Sequence, residues 1–475
     1  MISTLALALP LGGCLLTGDR PEPALDIPAK YTGSTANPAV AQAALPPLDW
    51  WRKFRSRELT DLIEQAREAN LDIAAAVARI VQADAQARIT GAALLPEVTL
   101  NGSGQRIRTS QSTSVGGTTG SLGGSERNLY SASLSASYEI DFWGKNRSLV
   151  RAAEETAVAS RYDREVVSLT TVVATANAYF QVLAAQDRLA VARNNLQSAT
   201  RVLNLIKQRL QAGTASNLEV AEQQSVVDTQ RASIPPLEQT LRQNKNALAL
   251  LIARSPERVN VRGGTLRGIA YPRVTPGLPS ELLTQRPDIR EAEANLAAAN
   301  ANVENARAQF LPSIVLTGEG GYQSAILKTL LRPESAFYTL AAGLTQPIFE
   351  GGQLLGNLDL QKGRQDELLQ DYRKAVISGF VDVENALDAI RQTALRERLQ
   401  QDVVTSSRQA FDISEQRLRE GTIDLVTVLQ TQQTLYQAED LLVQARLAHV
   451  QAIVSLYQAL GGGWKPKPLE TTDAR

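Results

Sequence analysis

The chain has 475 residues, with 49 Lys plus Arg against 49 Asp plus Glu, so its formal net charge is zero. That balance excludes the basic field a nucleic-acid binder needs, and 5% aromatics amid abundant Ala, Leu, Gln, Arg and Glu describes long helices rather than an aromatic core. No run of 18 apolar residues occurs, which argues against a membrane-spanning helix, and the one cysteine, Cys14, excludes an intramolecular disulfide.

In chain order, MISTLALALPLGGC opens with an apolar stretch that ends in small residues before Cys14. This pattern predicts a lipoprotein signal peptide over 1–13 and acylation of Cys14. The other reading is an ordinary apolar N-terminus carrying one cysteine. Residues 14–47, rich in Pro, Ala, Thr and Gly, read as an extended tether. From 48 to 89 the spacing is helical, with Leu59, Leu62, Ile63 and Ala66 on one face and Ile73, Val77, Ile80 and Val81 on another.

From Leu94 the period changes. Within LYSASLSASYEIDF (129–142), Tyr130, Ala132, Leu134, Ala136, Tyr138, Ile140 and Phe142 alternate with Ser, Glu and Asp. Fourteen such residues predict a strand with one apolar face. That exceeds the usual globular strand of about 5–6 residues and suits a tilted membrane strand of about 9–11. A shorter alternation covers 97–104, and a Gly/Ser loop fills 117–126. The order then recurs. FLPSIVLTGEGGY (310–322) answers LLPEVTLNGSGQ (94–105), and FYTLAAGLTQPIFEGG (337–352) answers the long strand. Strands are thus expected at about 95–107, 129–142, 311–322 and 337–349. Four strands cannot close a barrel, and lipid tolerates no unpaired backbone, so several chains must share one.

A long helical stretch follows each strand pair. Val166, Leu169, Val173, Ala176, Phe180 and Leu183 step by three and four, and the seam resumes one residue out of phase at Leu196, Ala199, Leu203, Ile206 and Leu210. Val376, Phe380, Val383, Leu387 and Ile390, then Val404, Phe411 and Leu418, form the second seam. Both are narrow coiled-coil stripes, and a single helix over 145–212 would reach roughly 100 Å. Each stretch closes on a near-copy, QRLQAGTASNLEVAEQQ (208–224) and QRLREGTIDLVTVLQTQ (416–432), offset by 208 residues. Gly213 and Gly421 suit the left-handed end of a helix, and Ser216 and Asp424 suit the cap of the next one. The returning helices start near 217, with a break expected at Pro235-Pro236, and near 425. Each motif is therefore the tip of a helical hairpin. The first repeat spans 48–270, the second 271–464, and 465–475 reads as a flexible tail.

WWRKF (50–54), the strand entries Leu95-Pro96 and Leu311-Pro312, the segment LPSELLTQRPDIREAEANLAAANANVENARAQFLPS (278–313) and the closing ALGGGW carry a resemblance across almost the whole chain. It resembles the outer-membrane factor family, the TolC-like exit ducts, and within it the lipid-anchored efflux branch of OprM, CusC and NodT. The resemblance implies an α+β membrane protein: a homotrimer sharing a twelve-stranded barrel that continues into a periplasmic helical barrel. It implies a passive exit duct of a tripartite, RND-type efflux system in the outer membrane, working with a periplasmic adaptor and an inner-membrane transporter. No cofactor is implied beyond the lipid on Cys14, and no enzyme activity.

By the same resemblance, Gly213, Thr214, Gly421 and Thr422 are the adaptor-docking tips. Their glycines could equally serve only to end helices. The gate is expected just inside the tips, at Glu219, Glu222, Asp424, Thr427 and Gln430. Relatives often carry an acid at the last position, so an acidic ring here would fall to Glu219 or Glu222, and such rings favour cations. Solvated surface charge is the other reading of both glutamates. His449 is the one histidine and has no Cys or His neighbour in metal-ligand spacing. Two rival readings keep part of this picture: the same fold serving type I protein secretion, and a structural coiled-coil surface protein.

Overall fold

The computed structural model describes residues 24, 25, 27, 28, 31, 46–108, 126–262, 264–274, 279–462 and 464. The expected signal peptide, Cys14, nearly all of the tether, most of the Gly/Ser loop, Gly463 and the tail lie outside the described residues. The rest falls into two compact units, each drawing on both sequence repeats.

The first unit, within 81–159 and 293–371, holds a four-stranded antiparallel sheet in the order β1 (Glu97–Arg108), β2 (Glu126–Ile140), β3 (Ser313–Ser324), β4 (Ala336–Thr345). The register aligns one face across all four strands. Val98 lies opposite Ala136, then Gly318 and Leu340; Leu100 lies opposite Leu134, then Gly320 and Tyr338. Leu100, Tyr338 and Leu340 are each about four-fifths exposed, so these side chains of the apolar face are left largely uncovered by the described residues. The other face carries Thr99, Ser135, Glu319 and Thr339 in one row. On it Asn101 donates to the Ser135 hydroxyl at 3.1 Å, and Ser103 and Ser131 share a hydrogen bond at 2.9 Å. The alternation in the sequence is therefore the alternation of the sheet. Gly321 is required where β2 and β3 meet, since a Cβ there would lie 2.2 Å from the Ala132 carbonyl oxygen.

Two strands end earlier than expected. β2 stops at Ile140 because Asp141 leaves the ladder to accept from Asn146 N and Arg147 N, at 3.1 and 2.8 Å, in the first turn of the next helix. Gly144 supplies the left-handed turn at φ 76°. β4 stops at Thr345, two residues before Pro347, which has no N–H to give a ladder. The connecting turns are tied by the Trp143 indole, which donates to the Pro312 carbonyl at 2.8 Å.

The long helices are α3 (Lys145–Gln211), α4 (Asn217–Leu251), α7 (Gln353–Arg419) and α8 (Leu425–Ala459). Every boundary of α7 and α8 lies 208 residues after its counterpart in α3 and α4, so the duplication read in the tips governs the whole hairpin. The shorter helices are α1 (Arg57–Ala69), α2 (Leu71–Gly91), α5 (Leu282–Gln285) and α6 (Pro287–Ala308).

The second unit, within 24–80, 160–292 and 372–475, is helical. Its core is built on the predicted seams: Val173, Ala176, Phe180 and Leu183 of α3 pack with Val450, Ile453 and Tyr457 of α8. The WWRKF segment, a short 3-10 turn, plugs this core. Trp50 stacks on Tyr457 at 4.7 Å between ring centres, and Phe54 meets Phe180 at 5.3 Å. Burial pushes the Tyr457 hydroxyl up to about 12. One 18-residue window of α3 is apolar enough to cross a membrane, with mean hydropathy 1.4, yet 56% of it is buried inside the protein. It is a core helix by that measure.

Two sequence expectations need correction. The helix from 217 does not break at Pro235-Pro236; α4 runs through both. The two prolines and the preceding residues Arg231 and Ala232, whose carbonyls lose their helical donors, all lie at the surface, where water satisfies them. Buried Val227 and Leu248 hold the helix on either side. The helical stretch 48–89 is divided at Asn70, whose side chain accepts from Asp72 N and Ile73 N and so starts a new helix. Beyond it Ile73 and Ala76 are buried, while Val77 and Val81 are exposed.

Candidate functional site

The two hairpin tips belong to the second unit and are built alike. Gly213 and Gly421 take left-handed φ of 78° and 72°. Gly213 N donates to Leu210 O at 3.0 Å, and Thr214 N to Arg209 O at 2.8 Å. Gly421 N donates to Leu418 O at 3.2 Å, and Thr422 N to Arg417 O at 3.0 Å. This is the Schellman pattern, which satisfies the last carbonyls of a helix. The threonine hydroxyls donate to the same Arg209 and Arg417 carbonyls, at 3.1 and 3.2 Å. A glycine followed by threonine is thus the chemistry of the turn itself. Nothing lies within 4 Å of a Cβ placed at either glycine, so both tips present open backbone.

The returning helices start from the predicted caps. Ser216 and Glu219 form a reciprocal capping box: the Ser216 hydroxyl accepts from Glu219 N at 3.2 Å, and the Glu219 carboxylate accepts from Ser216 N at 2.6 Å. In the second copy Asp424 accepts from Thr427 N at 3.0 Å and from the Thr427 hydroxyl at 2.7 Å. The hydrogen bonds from the Thr427 side chain and backbone hold the Asp424 carboxyl below its ordinary range. Among the gate positions, Glu219, Glu222 and Thr427 are half-buried, while Asp424 and Gln430 are exposed. Glu219 is committed to the helix start in this chain, and the capping box is what its position most directly explains.

Three features of the tips escaped the sequence reading. First, Arg209 bridges them: Nη1 donates to Leu418 O at 3.0 Å and Nη2 to Thr214 O at 3.2 Å. Second, Glu415 accepts from Arg201 at 3.1 Å and from Arg419 at 2.7 Å. Burial pushes its carboxyl up, but the two guanidiniums outweigh this and hold it below the ordinary value. Third, Leu218 and Val426, equivalent at the 208-residue offset, are exposed by 66% and 61%. The identical Gln-Arg-Leu triplets at 208–210 and 416–418 were the available signal for the first. Behind the tips, Val202, Ile206, Val227, Phe411, Leu418 and Val428 form one apolar cluster. Gln223 crosses it, donating to the Ala199 carbonyl at 3.0 Å and to Gln432 at 3.3 Å.

Elsewhere in the second unit, His449 pairs with Glu397 at 2.8 Å and lies against Tyr271, ring centres 4.4 Å apart. No group of three His, Cys, Asp or Glu side chains placed to hold a metal occurs among the described residues.

A sheet apolar on one face, together with paired helical hairpins ending in matched tips, marks the class of outer-membrane channel proteins. The family model for outer membrane efflux proteins matches residues 62–254 and 278–462, one segment in each repeat. The chain belongs to that family, and it is an outer-membrane channel component of an efflux system. It is 41% identical over 464 residues to the pyoverdine export outer membrane protein OpmQ of Pseudomonas putida, covering 96% of this chain and 97% of that one. It is 32% identical to the toluene efflux pump outer membrane protein TtgC of Pseudomonas putida, covering 98% and 96%. The solved outer membrane channel CmeC of Campylobacter jejuni superposes with a TM-score of 0.87 at 25% identity, covering 95% of each chain.

Proposed function

We propose that three copies of this chain close one twelve-stranded barrel and form a passive, gated exit duct of an RND-type tripartite pump. The observation that carries the reading is the four-stranded sheet. Among the described residues β1 and β4 each pair on one side only, and the apolar face runs across all four strands. Lipid requires every backbone group to be paired, so the two edges need further strands. The number three follows the family resemblance. The exposed apolar residues Ile377, Val381, Leu395, Leu399 and Val403 on α7 supply a second surface for a neighbouring copy.

In this reading the duct meets a periplasmic adaptor at the two tips. Gly213-Thr214 and Gly421-Thr422 offer open backbone for close approach, and exposed Leu218 and Val426 offer apolar contact. An inner-membrane transporter supplies energy and cargo, and a lipid on Cys14 anchors each chain. The relatives named for pyoverdine export make pyoverdine the first cargo to try. The gate lies at Glu219 and Glu222, with Asp424, Thr427 and Gln430 facing the same passage.

Single-channel conductance in a planar bilayer tests this. The parent is expected to show a small, cation-selective conductance, and a Glu219→Gln, Glu222→Gln double variant is expected to lose the selectivity. A channel of unchanged selectivity would move the gate elsewhere. A protein that forms no channel and needs no detergent would refute the duct.

A further inference from the structure

The chain is neutral overall, but its charge is not evenly spread. Residues 49–58, around WWRKF, hold four cations against two acids. Residues 252–273, where the first repeat passes into the second, hold five arginines against one acid, so the two segments together carry a net of six positive charges. They are tied to each other. Ala270 N donates to the Phe54 carbonyl at 3.1 Å, and Arg262 N donates to the Glu58 carboxylate at 2.7 Å. All nine cations are exposed, and only Arg52 has an ion pair among the described residues, with Asp49 at 3.5 Å and Glu64 at 2.7 Å.

Three of these cations converge. Lys53, Arg55 and Arg273 line one open recess of about 440 Å³ with Ala270, Tyr271 and Pro272, and its walls include no acid. Glu397 lies behind it, accepting from the Tyr271 hydroxyl at 3.4 Å, but that carboxylate is already taken by Arg446 at 3.3 Å and His449 at 2.8 Å. The frame is fixed from below. Phe54 is fully buried against Phe180 and Tyr457, and Asp187 of α3 accepts from the Thr265 hydroxyl and from Leu266 N, both at 3.0 Å. Arg55 itself takes left-handed backbone at φ 55°, so a position that suits glycine carries a guanidinium instead. Unpaired guanidiniums on a rigid frame suit carboxylates, which their planar fork meets in two parallel hydrogen bonds.

We propose that this basic face binds the carboxylate-bearing glycan–peptide polymer of the periplasmic cell wall. The outer-membrane location, with helices extending into the periplasm, brings the face within reach of that polymer. The inference needs this location and not the three-copy reading. The face sits beside Tyr179–Asp187 of α3, 24 residues or more before the helix ends at Gln211. At 1.5 Å per residue that is roughly 35 Å from the tip, so the surface is separate from the one assigned above to an adaptor. Within the two segments Tyr271, at 37%, is the one exposed large apolar side chain among the described residues, which leaves little to insert into lipid. Many unpaired cations spread over one face suit a polymer that repeats its carboxylates, because each weak contact then adds to the next.

Co-sedimentation of the full-length protein in detergent with protein-free cell-wall sacculi tests it. The parent is expected to pellet with the sacculi and to be released as salt rises from about 0.05 to about 0.5 M. A Lys53→Gln, Arg55→Gln, Arg273→Gln triple variant is expected to bind at least about tenfold more weakly. A second triple, Lys207→Gln, Arg231→Gln, Arg417→Gln, removes the same charge from exposed positions of the hairpins and is expected to bind like the parent. Equal loss in both triples, or loss in neither, overturns the assignment to this face. Sacculi whose carboxylates have been converted to amides are tested with the parent alone, so that result is independent of how any variant folds. Binding to them is expected to vanish, and unchanged binding overturns the carboxylate chemistry. Vesicles of anionic phospholipid form the last arm: retention as tight as on sacculi would make the partner a membrane surface and overturn the wall. A parent that does not pellet overturns the proposal outright, and its conductance in a planar bilayer decides the duct separately.

Discussion

Replacing Gly461 by alanine separates two costs that glycine normally hides together. Gly461 and Gly213 have nearly the same backbone, φ 83° and 78°. An alanine in this left-handed region costs about 1–2 kcal/mol by itself. At Gly213 nothing lies within 4 Å of the added Cβ, so that conformational cost is the whole effect. At Gly461 the Cβ would sit 2.3 Å from the Gln285 carbonyl oxygen and 3.0 Å from its carbon. That backbone cannot retreat freely. The adjoining Arg286 guanidinium is held by Asp288 at 2.7 Å, Asp382 at 2.9 Å and the Ala459 carbonyl at 3.2 Å. Overpacking of this kind adds about 1–3 kcal/mol, giving a total of about 2–5 kcal/mol for Gly461→Ala. Thermal melts of the detergent-solubilised variants, followed by helical circular dichroism, should place Gly461→Ala well below Gly213→Ala. Equal melting temperatures would refute the collision and leave the closing glycines with a purely conformational role.

Two further predictions address the sheet and the tips. Leu100→Arg places a cation on the apolar face and should cost about 2–4 kcal/mol in a lipid bilayer. Asn101→Arg, on the polar face one residue away, should cost far less; equal urea midpoints in vesicles would reverse the assignment of faces. Glu415→Gln should destabilise the tips by about 1 kcal/mol at neutral pH, discounted because Arg201 and Arg419 are half-exposed. Because the folded carboxyl is held below its ordinary value of 4.5, its contribution is present above that value and is lost as the pH falls through the lowered one. The difference in melting temperature between parent and variant should therefore shrink on acidification below about pH 4. A constant difference across that range would show the ion pairs to be idle.

What the sequence made legible was whatever has a period or a cap. The apolar row Tyr130, Ala132, Leu134, Ala136 is visible because a strand repeats every two residues, and its register partners Gly104, Gly102, Leu100 and Val98 obey the same rule. Gly213, Ser216, Gly421 and Asp424 are visible because helix ends demand those residue types. The Arg209 bridge was only half legible: the repeated Gln-Arg-Leu triplet marks the donor, but a main-chain carbonyl 209 residues away leaves no mark at the acceptor. The continuity of α4 through Pro235-Pro236 was not legible, because it depends on those residues lying at the surface. The family signature at Arg286-Pro287-Asp288 and Gly461-Gly462 was recognisable only as a motif. Its physical sense is the close contact of three segments: Gly461 against Gln285, Gly462 against Leu169, and Arg286 against the end of α8.

The duplication also allows one chain to be read against itself. Val173 and Val381 are equivalent positions of α3 and α7; the first is buried and the second half-exposed. Leu169 and Val191 pack against the main core, while their counterparts Ile377 and Leu399 stand exposed by 60% and 52%. Burying such side chains is worth about 1.5–3 kcal/mol each, so an exposed row of them on a single chain is costly. The residue types are matched although their surroundings are not, and matched types at equivalent positions of a repeat call for matched burial. Inside the chain, α3 obtains that burial from the second unit's own core. For α7, the described residues of this chain supply no such cover, and the three-copy assembly proposed above is what would provide it.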